Sequence, residues 1–447
     1  MNLNREILRL SIPAIVSNVT VPLLGLCDTA ISGHLGSAVF LAAIAVGSLM
    51  ISVLFRLFGF LRMGTTGLTA NAFGRKDACA IREAFSRSLF LGFILGFSMV
   101  ICQYPLLQSM LWLVGADPDT ARYATSYFNI CIYEAPAQMA IMAISGWLVG
   151  MQSTVRAMIV AISVNVVNII ASYLFVFPLG MGFTGVAYGT LLSNWFGFAL
   201  AMILAMGLAP EGGLWCGWRA LFKGGGMKKF FSVNSDLFIR SACVMAVTMA
   251  VTAYSARLGA VALASNAVMQ QFFTFFSFFM DGYAFTGEAL CGRFAGAHNM
   301  AMLRKSVRYL LRWSAGIAVV FLGLYLIGWQ GVVDMLTDDI PVREFVAQYH
   351  LWIILIPPVT VAAFIYDGFF IGVTRTRSML VATLIASLLF FAATLPVFRG
   401  YHHGGDTLLI GSISAMDIIW ASFLIYLLAR GMILAVIWHR SLGMRTI

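Results

Sequence analysis

The feature that most constrains this chain is the recurrence of apolar stretches of twenty or more residues, joined by short connections that hold most of the lysines and arginines. A bilayer hydrocarbon core about 30 Å thick takes roughly 20 apolar residues per helix. On that ruler twelve spans are expected, near 8–33, 38–72, 84–113, 120–150, 155–179, 184–208, 230–256, 260–295, 306–335, 343–373, 378–398 and 411–438. Several exceed the minimum and would tilt or project from the bilayer. Backbone exposed to lipid must satisfy its own hydrogen bonds, so the spans are expected to be helical throughout. Composition agrees: 61% of residues are hydrophobic and 10% charged, with mean hydropathy +0.91. A soluble domain carries about 25% charged residues. The expected fold class is therefore an all-α integral membrane protein of about 12 transmembrane helices, which excludes a soluble enzyme.

Net charge is +10, but the cations lie between spans, without the interleaved aromatics of a nucleic-acid surface. They read instead as a topology signal. Nineteen fall at the N-terminus or in every second connection: Arg5, Arg9, Arg75, Lys76, Arg82, Arg87, Arg156, Arg219, Lys223, Lys228, Lys229, Arg293, Arg304, Lys305, Arg308, Arg375, Arg377, Arg440 and Arg445. The alternate connections hold four: Arg122, Arg257, Arg343 and Arg399. Both termini are thus expected in the cytoplasm, in a multi-pass protein of the cell (inner) membrane. Seven cysteines with no CxxC spacing, most inside apolar runs, indicate neither a disulfide framework nor a zinc site. The N-terminus passes straight into the first apolar run and reads as a retained helix.

The two halves of the chain resemble each other. Leu41–Val46 matches Leu263–Val268 at an offset of 222 residues, and the same offset pairs Gly74 with Gly296, Pro136 with Pro358, Gly146 with Gly368, Gly150 with Gly372, and Thr154 with Thr376. Shared apolar character does not supply glycine, proline and threonine at one ungapped spacing. The join is Gly-rich and basic. The expected organisation is a six-helix lobe over 1–208, a cytoplasmic linker over 209–229 and a second six-helix lobe over 230–447. Because six is even, both lobes enter from the same side, as a parallel pseudo-twofold repeat. Paired lobes enclosing a cleft are a transporter's architecture.

Ionisable groups inside a membrane cost at least about 2.5–3.5 kcal/mol each, so each is a site candidate. Asp28 lies late in the first span, with no cation within one helical turn in sequence. On the fifth span, Asn165, Asn168 and Ser172 fall at i, i+3 and i+7, which puts three polar groups on one face. The stripe either meets Asp28 to bind a proton or sodium ion, or glues helices together. Asp281 and Glu288 share a face of the eighth span, and Asp367 follows Tyr366 on the tenth. These four are candidates for binding a cationic substrate or a coupling ion. Asp281 is expected to be the deeper acid of its pair, with Glu288 nearer the solvated cytoplasmic end. Asp236 and Arg240 have the spacing of an intrahelical ion pair. Glu134 sits beside Pro136 with an open role. Pro13 and Pro22 each remove a backbone donor from the first span and are candidate switch points. His402-His403 reads as a solvated turn. Walker, HExxH and GxSxG patterns are absent, so transport, if that is the function, would be secondary and not driven by ATP.

With the repeat and the acid in hand, the chain resembles the multidrug and toxic compound extrusion (MATE) family, most closely its DinF-type branch. The resemblance rests on Ser11-Ile-Pro-Ala14, Asp28-Thr-Ala-Ile-Ser-Gly-His-Leu-Gly36, Gly146-Trp-Leu-Val-Gly-Met-Gln152, Asp281-Gly-Tyr-Ala-Phe-Thr-Gly-Glu288 and Tyr366-Asp-Gly-Phe-Phe-Ile-Gly372. It implies antiport of organic cations and other amphiphiles out of the cytoplasm in exchange for H⁺ or Na⁺, by two lobes arranged as a V. It also implies Asp28 as the ion-coupling residue. Where that family often carries Asn and Asp four apart on the fifth helix, this chain has Asn168 and Ser172, so a second carboxylate is missing there. No cofactor beyond the coupling ion is expected. Expected partners are small organic cations or amphiphiles and membrane lipid, with no nucleic acid, and the chain is expected to act as a monomer. The alternative is a flippase or exporter of a lipid-linked precursor or metabolite, which would need a strongly cationic cleft. Its candidates are Arg56, Arg62, Arg240 and Arg312.

Overall fold

Each apolar run becomes helix because a chain in hydrocarbon has no other way to pair every backbone N–H and C=O locally. The computed structural model describes residues 2–34, 38–115, 117–217, 226–400, 409–410 and 413–443. The end of the Asp28–Gly36 motif, most of the basic part of the linker and His402-His403 lie outside the described residues. The first half contains α1 (Leu3–Gly33), α2 (Ala38–Leu57), α3 (Phe60–Arg75), α4 (Ala78–Ile101), α5 (Gln103–Val114), α6 (Pro118–Cys131), a 3₁₀ turn (Ile132–Glu134), α7 (Ala135–Gly150), α8 (Thr154–Val176) and α9 (Phe183–Met206). The second contains α10 (Gly226–Arg257), α11 (Ala260–Gly296), α12 (Met300–Leu336), α13 (Ile340–Gly372), α14 (Thr376–Gly400) and α15 (Ala415–Gly443), with a two-residue ladder of β1 (Leu409–Ile410) and β2 (Ile413–Ser414).

Among the described residues nine helices are long and apolar enough to cross a membrane, counting α2 and α3 as one. Large apolar side chains line their outer faces: Ile101 is 81% and Ile327 90% exposed. A soluble surface does not tolerate such faces in bulk, but a lipid-facing one requires them. The expected spans that fall outside the nine are α1, the α6–α7 pair and α11. α1 opens with Arg5, Glu6 and Arg9, and the 3₁₀ turn before Pro136 divides α6 from α7. α11 carries Asn266, Gln270, Gln271, Asp281 and Glu288. Asp28 lies on α1, Glu134 between α6 and α7, and Asp281 and Glu288 on α11, whereas Asp367 lies on α13, one of the nine.

The offset of 222 reappears in the backbone. Among the described residues, the four non-glycine residues with left-handed φ are Lys76 (58°) with His298 (54°), and Gln152 (62°) with Thr374 (55°), and each pair is 222 apart. Each such conformation costs on the order of 1–3 kcal/mol and persists only where its surroundings hold it. The residues that follow Lys76 and His298 cap helices in the same way: Asp77 accepts the Ala80 N–H at 2.9 Å, and Asn299 accepts the Met302 N–H at 3.0 Å.

Glycine contacts show the same exchange. A Cβ on Gly74 would overlap the Arg293 carbonyl, and one on Gly296 would overlap the Asn71 carbonyl. Likewise Gly146 lies on the Arg62 carbonyl and Gly368 on the Ala284 carbonyl. Small residues let membrane helices approach this closely. The first exchange joins the halves along a seam of α3 and α11. Asn71 Nδ2 donates to the Gly372 carbonyl at 2.6 Å, and Gln152 Nε2 to the Ala289 carbonyl at 2.8 Å. Arg293 pairs with Glu6 at the same end.

Candidate functional site

α1 positions the first site. It packs against α8 of its own half and against α11 of the other. Both prolines lie within its 31 residues, and the helix continues through them. Ser17 Oγ donates to the Pro13 carbonyl at 3.0 Å, and Asn18 Nδ2 reaches the Phe278 carbonyl of α11 at 3.2 Å. Asp28, half-buried in the last turns of α1, lies within electrostatic range of Tyr127 and Cys131 on α6.

The polar stripe on α8 divides between two neighbours. Asn165 Nδ2 donates to Thr20 Oγ1 of α1 at 3.2 Å, close to Pro22. Asn168 Nδ2 donates to Thr190 Oγ1 of α9 at 3.1 Å, and Ser172 Oγ donates to Asn168 Oδ1 at 3.4 Å. Thr190 in turn meets Tyr127. One turn further along α9, Asn194 Nδ2 donates to Glu134 Oε2 at 2.8 Å and to the Thr190 carbonyl at 3.1 Å. Glu134 is 2% exposed. The 3₁₀ turn, which Pro136 follows, is what turns this acid into the bundle. The first half thus holds Asp28 and Glu134 at opposite ends of a cluster of amides and hydroxyls.

The second half is built from ion pairs. Arg62 Nη1 and Nη2 reach Glu288 Oε2 and Oε1 at 3.2 and 3.3 Å, and the guanidinium lies 3.7 Å from the Phe285 ring centroid. This pair joins α3 to α11 and so bridges the two halves. Asp367 on α13 pairs with Arg240 of α10 and with Arg430 of α15, the latter at 3.4 Å. Asp281 lies within electrostatic range of Arg62, Arg240, Glu288 and Asp367. Tyr366 faces an aromatic cluster with Phe369 and Trp438. A cavity of about 710 Å³ opens beside Glu6, Arg9, Lys76 and Arg293, and none of Asp28, Glu134, Asp281, Glu288 and Asp367 lines it.

Two sequence expectations need correction. Glu288 is not solvated: it is 1% exposed, because α3 covers α11 at the seam. Asp236 and Arg240 do not pair with each other. Arg240 reaches Asp367, while Asp236 accepts from Thr376 Oγ1 at 2.9 Å and meets Arg377 at 3.6 Å, because neighbouring helices offer closer partners than the helix's own next turn. Sequence reasoning missed Arg430, although a cation inside the last apolar run is itself the signal. It also missed Tyr127, Thr190 and Asn194, whose residue types alone carry no such flag. Among the described residues no group of three His, Cys, Asp or Glu side chains could hold a metal ion. Of the arginines considered for a pyrophosphate cargo, Arg62 and Arg240 are already paired with Glu288 and Asp367.

A helical membrane protein with duplicated halves and buried acids at their junction is the class that these features define. The comparisons with known proteins narrow it. The MatE family model matches twice, over residues 13–174 and 237–394. DNA damage-inducible protein F of Escherichia coli is 31% identical over 444 residues, 98% of this chain and 92% of the relative. Human multidrug and toxin extrusion protein 1 is 24% identical, over 77% of this chain and 60% of its own length. Among solved structures, an outward-facing multidrug resistance MATE transporter superposes with a TM-score of 0.86 at 17% identity, covering 99% of this chain and 96% of the other. A transporter from Pyrococcus furiosus gives a TM-score of 0.85 at 17% identity, with the same coverage. The chain belongs to the MatE family of multidrug and toxic compound extrusion transporters, in its DinF-type branch.

Proposed function

We propose that the protein is a secondary antiporter that exports organic cations or amphiphiles in exchange for H⁺ or Na⁺, with Asp28 as the ion-coupling residue. The observation that carries this reading is the position of α1: a proline-containing helix with an inward acid, packed against α8 on one side and α11 on the other. Ion binding at Asp28 changes the charge on a helix that touches both polar regions, so it can bias how the halves meet. Asn165, Asn168 and Ser172 orient this end of the site, and Pro13 and Pro22 give α1 two places to bend without breaking further backbone bonds. Two lobes of six spans, twelve in all, fit the repeat of left-handed residues, caps and glycine contacts at 222. With the basic connections on the cytoplasmic side, both termini are cytoplasmic and the seam of α3 and α11 seals that side. Substrate then occupies the region of Asp281, Glu288, Tyr366 and Asp367, where a cation competes with arginine for the carboxylates.

Efflux of a fluorescent organic cation from proteoliposomes, under separately imposed H⁺ and Na⁺ gradients, tests this. Wild type is expected to respond to one gradient, and Asp28→Asn to lose at least about tenfold of that rate, the loss of roughly 1.4 kcal/mol or more of coupling. No efflux under either gradient would replace the drug-export reading with a lipid or metabolite cargo. Loss in Asp367→Asn but not in Asp28→Asn would move coupling to the second half.

A further inference from the structure

The first half contains a second buried acid that the coupling scheme above does not use. Glu134 sits in the 3₁₀ turn between α6 and α7, 2% exposed, and its Oε2 accepts from Asn194 Nδ2 at 2.8 Å. Among the described residues no arginine, lysine or histidine forms an ion pair with it, whereas Glu288 faces Arg62 and Asp367 faces two arginines. The elements packed against the turn are α4, α6, α7 and α9. α6 offers Tyr127 and Cys131, both within electrostatic range of Glu134 and of Asp28. α7 contains no ionisable residue, and α9 offers the Asn194 amide and Tyr188, which is exposed. α4 meets this region through Gly96 on Pro136, and its ionisable residues Cys79, Arg82, Glu83 and Arg87 lie in its first turns, at the far end.

A carboxylate so enclosed costs several kcal/mol to keep charged without a cation, and that cost disappears when it binds a proton. Asn194 suits both states. Its amide donates to the ionised acid, as seen here, and after rotation its carbonyl accepts from the protonated one. From Glu134 a polar path leads through Asn194, Thr190 and Tyr127 to the surroundings of Asp28.

We infer that Glu134 is a second proton-binding carboxyl of the coupling site, taking the place of the acid that Ser172 leaves out on α8. The proton enters as H⁺ onto one carboxylate oxygen and leaves the same way, and no other bond changes. The inference rests on the antiport reading, with the proton as the ion.

Infrared difference spectra of the purified, detergent-solubilised protein during a pH titration test it, through the carbonyl stretch of protonated carboxyls. Bands of Glu134 and Asp28 are expected among those that titrate in wild type. Glu134→Gln should remove one, Asp28→Asn the other, and Glu134→Asp should retain both. Labelling glutamate carboxyl groups with ¹³C in wild-type protein should shift one band, a readout that does not depend on a variant folding. Proton release when tetraphenylphosphonium binds should fall by about one proton in Glu134→Gln. Unchanged bands in Glu134→Gln, or no glutamate band in the labelled wild type, overturn the inference. Titrating bands of both acids without gradient-driven efflux would leave Glu134 as a proton site and overturn the antiport reading instead.

Discussion

The two halves bury their acids by opposite means. In the second half, Glu288 and Asp367 face guanidinium groups on other helices, and those pairs tie α3 to α11 and α10 and α15 to α13. In the first half, Glu134 faces an amide, and Asp28 stands near a tyrosine, a thiol and a hydroxyl-amide cluster. A buried ion pair fixes two helices to each other, and protonating its acid leaves a buried cation behind. An acid among amides can gain or lose a proton while its partners rotate to suit. The halves therefore share a backbone plan while holding their acids differently, one among amides and hydroxyls and the other against guanidinium groups.

The largest effect that would test this contrast is in the second half. Asp367→Asn leaves Arg240 and Arg430 without their shared carboxylate and is expected to destabilise the fold by roughly 3–5 kcal/mol. Thermal unfolding in detergent measures this, and Asp28→Asn and Glu134→Gln should lower the midpoint much less. Equal losses in all three would erase the distinction. A smaller effect is expected at the bridge between halves: Arg62→Met should cost about 3 kcal/mol, and combining it with Glu288→Leu should recover most of that, because two apolar side chains replace a pair whose desolvation was costly. Failure of the double variant to recover would show that Glu288 has work beyond pairing. The smallest effect lies outside the membrane. The Thr120 hydroxyl and backbone N–H hold the Asp117 carboxyl below the usual carboxylate range at the cap of α6. A lowered folded-state value means that this stabilisation is present above the unfolded carboxylate range and is lost as pH falls through the folded value. Acid below the usual carboxylate range should therefore loosen α6 slightly, and Asp117→Asn should flatten that dependence in hydrogen exchange of α6 amides.

Much of the candidate site was named by sequence reasoning, but its wiring was not. Asp28, Asn168 and Ser172 were legible because polar groups in apolar runs stand out, and helical spacing put the stripe on one face. Spacing could not say that Asn165 turns to Thr20 on α1 while Asn168 turns to Thr190 on α9. Asp236 and Arg240 show the same limit: i,i+4 spacing allowed a pair, and packing gave each a nearer partner. Glu134 was visible as a residue, but nothing around it in sequence pointed to Asn194, sixty positions away.

By itself the sequence determined the class of the protein, a helical membrane bundle, because hydrocarbon leaves a long apolar segment no other backbone solution. It also determined the duplication, since glycine, proline and threonine at one offset mark repeated backbone demands that the cap and left-handed residues at 222 then express. The tertiary structure alone decided which acids meet an arginine and which meet an amide. Arg62 and Glu288 are 226 positions apart, and whether two such side chains meet depends on helix rotation and close approach. Contacts across many helices set both, and no local pattern encodes them.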